Sequence, residues 1–419
     1  MKIAIVHNRD YSGVINRFGQ VCPEKYGERA IIAVISALQR AGHDVLLCEG
    51  DKKMLRVLES FMPADKQGQP TGLVFNMAYG IQGNCRYTHV PAMLEMAGVP
   101  YTGSDPLGHA LALDKVITKD LMRQAGIPTP SYCVLKDGSE LATGLRFPVI
   151  VKPRHESTSF GLKLVTNPAD LAAAVDEIVQ QYRQDALVEE YIDGREVCVG
   201  LLGTGDDVEV LPLVEQDFSD RQVRLMTWED KSHKSVVEPR KICPANIDGD
   251  LVKKLCDISV ATFRACHCRD YARVDIRIDE EGNPYVLEIN SMASLGPTGS
   301  YVLAAQTAGY TMDGLINRIV DVAAVRSFGK SGSDQMLTWV GAEGNPEVLK
   351  TSCLCKCNDV AASLDRMETA AHPGNTQDRG RLASCRVSTV LEMALPSPVD
   401  GRAKAGQPTD SGFDLSDGG

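Results

Sequence analysis

The chain has 419 residues with 44 Lys and Arg against 55 Asp and Glu, a net charge of −11, and is 43% hydrophobic and 24% charged, which suits a soluble protein of two or three domains. Its basic residues form no stripe and its apolar runs are too short to cross a bilayer, so neither nucleic acid nor a membrane is an expected partner. The opening MKIAIVHNRD lacks a secretory core and cleavage site, and the 13 cysteines are odd in number and scattered, so a cytoplasmic protein with reduced thiols is expected.

In chain order, residues 2–7 read as a strand, 29–41 as an amphipathic helix ending at Gly42, and 44–48 as a second strand. This is a βαβ rhythm. A strand at 73–76 and a helix around 91–96 continue it to the PYTGS turn at 100–104, closing a first α/β domain at 1–105. Helices at 106–113 and 114–125 follow, the second stopped by Gly126-Ile127-Pro128-Thr129-Pro130. Strands at 132–135, 148–152 and 186–190 around a long helix at 168–184 make a small α+β lobe, 106–193. Strands at 196–202 and 208–214, a polar loop at 216–239, a helix from Gly249, a hairpin, and closing helices make a third lobe, 194–325. From Arg326 the apolar periodicity is lost, and a disordered tail is expected over 326–419. Cys353, Cys355 and Cys357 in that tail have no second ligand cluster at zinc-like spacing, so a metal site is not expected there.

The most informative stretch is ARVDIRIDEEGNPYVLEIN at 272–290. Residues two apart on a strand share a face, so Arg273 goes with Asp275 and Glu288 with Asn290. The turn chemistry of 279–284 folds one strand back on the other and brings both pairs to one side. Three oxygen donors suited to Mg²⁺ would then converge beside a guanidinium. Polar residues alternating with Val, Ile and Leu are equally the pattern of any half-exposed hairpin.

No P-loop and no dinucleotide fingerprint is present: Gly329-Lys330-Ser331 lacks the earlier glycine. Lys152 ends the strand FPVIVKP, and Ser157, Thr158, Ser159 and Gly161 follow in a loop whose hydroxyls and N–H groups can wrap phosphate. A Ser/Thr turn beside a surface lysine is also common. The connector VEEYIDGRE, with Glu189, Glu190, Tyr191 and Ile192, can give an adenine backbone hydrogen bonds while Glu196 takes ribose hydroxyls. Alone it reads equally as a solvated acidic hairpin.

The order of these pieces, Asp114-Lys115, FPVIVKP and its loop, VEEYIDGREVCV, ARVDIRID and YVLEIN, resembles the ATP-grasp superfamily and in particular the D-alanine–D-alanine ligases. PAMLEMAGVPYTGSDPLGHALALDKVITKDLMRQAGIPTP and the ICPA at 242–245 add to the likeness, which spans residues 1–325. The resemblance implies an ATP-grasp fold behind a Rossmann-like N-terminal domain, and ATP with Mg²⁺ or Mn²⁺ as cofactors. It implies phosphate contacts from Lys115 and Lys152, an adenine hinge at Glu189, Glu190, Tyr191 and Ile192, and Glu196 on the ribose. It further implies metal ligation by Asp275, Glu288 and Asn290, with Glu288 as the bridge, an oxyanion contact from Arg273, and closure of Lys231 over the γ-phosphate. The reaction implied is acid–amino-acid ligation through an acylphosphate, with small amino-acid or peptide substrates and a homodimeric assembly.

The substrate side departs from that pattern. HNRDYSGVINRFGQVCPEKYGE replaces a glycine-rich Ser/Glu loop, with Glu24 and Glu28 only near the acidic position. NMAYGIQGNCRYTHVP stands where a histidine-glycine segment is usual, Lys231-Ser232 replaces lysine-tyrosine, and SMASLGPTGS puts Gly299 near an expected serine. D-alanyl-D-alanine formation is one option beside another peptide or amino-acid ligation in natural-product metabolism, a kinase, or a nucleotide-binding regulator without catalysis.

Overall fold

The computed structural model describes residues 1–9, 14–17, 19, 21–219, 221–231, 235 and 238–329. The expected tail from residue 330 onward, its cysteine cluster and Ser232 lie outside the described residues.

A three-stranded parallel sheet opens the fold: β1 (Lys2–His7) lies between β2 (Asp44–Glu49) and β3 (Gly72–Met77). The unbroken apolar run in β1 is what a strand covered on both faces requires. Ile3 and Ile5 join Val34 and Leu38 of α1 (Glu28–Arg40), and Ala4 and Val6 join Met54 and Leu58 of α2 (Met54–Phe61) on the other side. Helix α2 went unread in the sequence because its apolar positions cover only two turns. Helix α3 (His89–Met96) completes this part.

Two capped helices lead onward. Asp105 accepts from Gly108 N at the start of α4 (Pro106–Leu113), and Asp114 accepts from Val116 N and Ile117 N at the start of α5 (Lys115–Gln124). Each carboxylate satisfies donors that the first helical turn leaves open. The small lobe is an antiparallel sheet ordered β4 (Tyr132–Leu135), β7 (Ala186–Glu190), β5 (Val149–Pro153), β6 (Lys163–Val165), with α6 (Leu171–Tyr182) packed on it through Val175 and Ile178.

The larger sheet runs in the order β11 (Arg240–Ile242), β10 (Val214–Asp217), β8 (Arg195–Thr204), β12 (Asp270–Ile278), β13 (Pro284–Asn290), and β9 (Asp207–Val210) also pairs with β8. The single strand expected at 208–214 is two, because Pro212 has no N–H for a ladder and turns the chain between them. The loop expected at 216–239 holds a short helix, α7 (Trp228–Lys231). Helix α8 (Gly249–Ala265) covers one face of this sheet, Leu255 and Phe263 meeting Val197, Val199, Val274 and Ile276.

Helices α9 (Ser300–Thr307) and α10 (Met312–Phe328) close the chain, α10 running three residues past the expected boundary at 325. There Arg326 donates to both oxygens of the fully buried Asp270, at 3.1 and 2.8 Å, and to Tyr101 O at 2.8 Å. Asp270 in turn accepts from Gly103 N, so the last helix is tied to the first domain through the large sheet. The nine cysteines among the described residues form no disulfide with one another, and no helix among those residues is long and apolar enough to cross a membrane.

Candidate functional site

The hairpin closes as its alternation predicts. Arg273 pairs with Asn290 and Asp275 with Glu288 across β12 and β13, and β8 extends the rows, Gly200 opposite Arg273, Cys198 opposite Asp275 and Glu196 opposite Arg277. Between Asp275 and Ile276 the register shifts, so that Leu287 has no partner and forms a β-bulge. Simple alternation would have placed Val286 and Glu288 on one face. The bulge instead lets Val286 and Ile289 both enter the core while Glu288 and Asn290 face the opening.

Charges on this face are tightly held. Arg273 Nε and Nη2 each donate to Asp275 at 2.7 Å, and Asn290 Nδ2 donates to the same carboxylate at 3.1 Å. Burial works against the Arg273 cation, yet the Asp275 charge beside it keeps its pKa above the ordinary value. Burial would push the Glu288 carboxyl up. Lys115, whose Nζ is 3.9 Å away, then Lys231, Lys152 and Arg273 outweigh that and hold it down to about 2. Lys115 itself is shifted down, chiefly by burial.

Two hollows meet over this face. A cleft of about 70 Å³ is lined by Lys115, Lys152, Ser157, Ser159, Lys231 and Glu288, and by Glu196 and Asp275. A cavity of about 450 Å³ adjoins it, with Arg273, Asn290, Glu24, Tyr87 and Gln216 among its walls. Ser157, Glu196, Met226, Lys231 and Asp275 line both. The Ser/Thr loop between β5 and β6 roofs the junction. Thr158 and Ser159 have φ of +52° and +60°, a region that residues with a side chain seldom adopt and that clusters at binding loops. Gly161 has φ +68°, and a Cβ there would come within 2.7 Å of Tyr182 and 2.9 Å of Pro153, so the loop turns only with glycine. Ser159 Oγ donates to Met226 O at 2.9 Å, which links the small lobe to the segment carrying Lys231.

The connector divides by face. Glu189 points inward and is held by Lys152 and, at 2.8 Å, by Lys119, whose Nζ also donates to Thr129 Oγ1 at 2.7 Å. Glu190, its neighbour on β7, points the other way, and its carboxylate accepts from Arg146 N and from the Arg146 guanidinium. The Glu190 side chain is therefore not brought to the cleft. Tyr191 and Ile192 are held by Arg277, whose Nη2 donates to Tyr191 Oη and Nε to Ile192 O, while its Nη1 donates to Glu196 at 3.0 Å. Burial raises the Glu196 pKa despite that partner.

Arg277 and Lys119 were not singled out from the sequence, although each had a signal. Arg277 continues the two-residue step from Arg273 and Asp275, and Lys119 lies one helical turn after Lys115. Arg86 left none, because its partners are remote in sequence, whereas Glu24 stands near the acidic position of the family pattern. Glu24 is 8% exposed, accepts from Tyr87 Oη and faces the larger cavity, whereas Glu28 is exposed at the start of α1. Arg86, 2% exposed, donates to Glu156 Oε2 at 3.2 Å and His155 O at 3.1 Å, and Lys115 Nζ donates to Glu156 O. The first domain thus fixes the base of the small-lobe loop.

No group of three or more His, Cys, Asp or Glu side chains converges among the described residues. Asp275, Glu288 and Asn290 fall below that count, but two carboxylates and an amide oxygen suit an ion that completes its shell with phosphate oxygens and water.

Residues 121–321 match the family described as D-ala D-ala ligase C-terminus. The chain is 58% identical over 333 residues to an uncharacterized protein, y4sG, of Sinorhizobium fredii, covering 78% of this chain and 98% of that one. It is 31% identical over 301 residues to a D-alanine–D-alanine ligase of Gloeobacter violaceus, covering 69% of this chain and 91% of the relative. Among solved structures, a Bacillus anthracis D-alanine–D-alanine ligase complexed with ATP has the same fold, with a TM-score of 0.60 and 22% identity over 79% of this chain and all of that one.

Proposed function

Because the chain belongs to the D-alanine–D-alanine ligase-like family of ATP-grasp proteins, we propose that it is an ATP-dependent ligase joining a carboxylate to an amine through an acylphosphate. The observation that carries this reading is the meeting of the two hollows at Ser157, Glu196, Lys231 and Asp275. A nucleotide in the cleft would present its terminal phosphate to a substrate in the cavity, directly over the hairpin face.

In this reading Lys115, Lys152 and Lys231 neutralise phosphate oxygens, the hydroxyls of Ser157 and Ser159 orient them, and Gly161 lets the loop turn. Glu189 keeps Lys152 in place, the backbone at Glu190, Tyr191 and Ile192 edges the adenine pocket, and Glu196 takes ribose hydroxyls. Asp275, Glu288 and Asn290 would hold Mg²⁺, which when bound supplies further positive charge at the phosphates. The γ-phosphoryl group passes to a substrate carboxylate oxygen with ADP leaving. The amine nitrogen then attacks the acyl carbon, loses a proton and displaces phosphate. Arg273 faces the cavity from the next row and stabilises the oxyanion that forms in that attack. The Met226–Lys231 segment lies over both hollows, so it would keep water from the acylphosphate.

The test is phosphate release from Mg-ATP across a panel of amino acids and dipeptides, with mass spectrometry on every hit and Glu288→Gln as the control. An amide product that vanishes in the variant supports the reading. Phosphorylated acid without amide, or ATP binding without turnover on any member of the panel, would refute ligation of these substrates.

A further inference from the structure

The ligase reading leaves the substrate side chain unassigned, and the floor of the larger cavity bears on it. On β10 the inward positions are Val214, 1% exposed, and Gln216, 4% exposed. A buried strand position is ordinarily apolar, since an amide there is costly unless both of its ends are bonded. Gln216 is bonded at one end only. Its Nε2 donates to Ser300 Oγ at 3.1 Å and reaches Cys198 Sγ at 3.6 Å, so both amide hydrogens have acceptors, while Oε1 has no partner.

Gln216, Cys198 and Ser300 all line the cavity of about 450 Å³ that also contains Arg273 and Asn290. The register sets Gln216 opposite Glu196 on β8, and Glu196 opposite Arg277 on β12. The unbonded amide oxygen therefore belongs to the same sheet face as the reacting centre. The cavity is also roomy: its volume falls among pockets of roughly 300–1,000 Å³ that enclose drug-sized ligands.

We propose that Gln216 is a specificity-determining residue that accepts a hydrogen bond from the side chain of the substrate amino acid, so that this chain ligates a donor-bearing amino acid in preference to alanine. Amide, hydroxyl and ammonium side chains qualify; leucine and alanine do not. The inference rests on the ligase reading for its reaction, but its binding test does not.

The experiment uses the full chain, with Gln216→Leu and Gln216→Met, both close to glutamine in size and without the amide. Thermal shift with ATP present is measured against serine, asparagine, glutamine, lysine, alanine and leucine of both hands, and amide formation is measured with the same set. A donor-bearing amino acid should bind roughly tenfold more tightly than alanine or leucine, and a folded Gln216 variant should lose that difference. Alanine as the preferred ligand, or an unchanged ranking in a variant that melts like the wild type, would overturn the proposal. If no amide forms with any amino acid, the ligase reading for these substrates fails, and the binding ranking still decides the role of Gln216.

Discussion

Arg273, half-buried at the cavity wall, and the buried Asp275, two residues apart on β12, hold each other through two 2.7 Å hydrogen bonds. Removing one partner from such a pair leaves the other charge buried and uncompensated. Arg273→Met should therefore cost about 3–5 kcal/mol in urea unfolding. Arg273→Met combined with Asp275→Leu should recover most of that loss and remain inactive in amide formation. A double variant no more stable than the single one would show that the pair contributes through something other than its charges.

Glu288→Gln keeps the shape of the cleft and removes the charge that its surrounding cations favour. Phosphate release from Mg-ATP should fall by about 100-fold or more, with the urea midpoint at neutral pH as a check on folding. Activity within a few-fold of wild type would remove Glu288 from the reaction.

The same variant carries a pH signature. Burial opposes ionisation of Glu288, but Lys115, Lys231, Lys152 and Arg273 bring its pKa from the ordinary 4.5 down to about 2. A carboxyl depressed on folding contributes stability that is complete above pH 4.5 and is lost as the pH falls toward 2. The stability difference between wild type and Glu288→Gln should be flat above pH 5 and shrink steadily below 4.5. A flat difference over the whole range would contradict this electrostatic account.

Lys119 has the same sign in a more alkaline window. Burial, partly offset by Glu189, takes its pKa from 10.5 down to about 8. Between those values the unfolded chain holds a proton that the folded chain has released, so this lysine adds stability as the pH rises from 8 to 10.5. Wild type should gain on Lys119→Met across that window in urea melts. The variant should also raise the KM for ATP, because Glu189 and Lys152 lose a fixed neighbour.

A chain ending at Gly329 should melt with the full-length protein and keep its activity. One ending at Val325 lacks Arg326 and leaves Asp270, fully enclosed, without its main counter-charge. That chain should be less stable by about 3–5 kcal/mol, as read by urea unfolding. Equal stability of the two truncations would mean that Arg326 does not anchor α10.

The hairpin and its four polar residues were readable because a two-residue period needs only neighbours along the chain, and the turn residues supply the fold-back. Lys152 was readable from its place at a strand end, and Lys115 through the family resemblance. The bulge at Leu287 was not, since nothing local says that one residue will be skipped. Nor was the outward turn of Glu190, because two adjacent acids on a strand look alike until one knows which face meets Lys119 and Lys152. Gln216 read as the start of a polar loop. Only the sheet beside it reveals that it is a buried position within β10, and Arg86 and Tyr87 likewise gain meaning only from partners dozens of residues away.

Arg86 and Tyr87 leave adjacent positions in the first domain for different tasks, one gripping Glu156 beneath the small-lobe loop and the other joining Glu24 and approaching Ser157 Oγ at 3.4 Å. One wall of the larger cavity and the anchoring of the small-lobe loop thus descend from a single dipeptide. An attempt to graft a new specificity onto this scaffold by exchanging the first domain alone would also import a foreign grip on the loop. Chimeras would have to move residues 21–28, 79–87 and 154–161 as one inheritable unit.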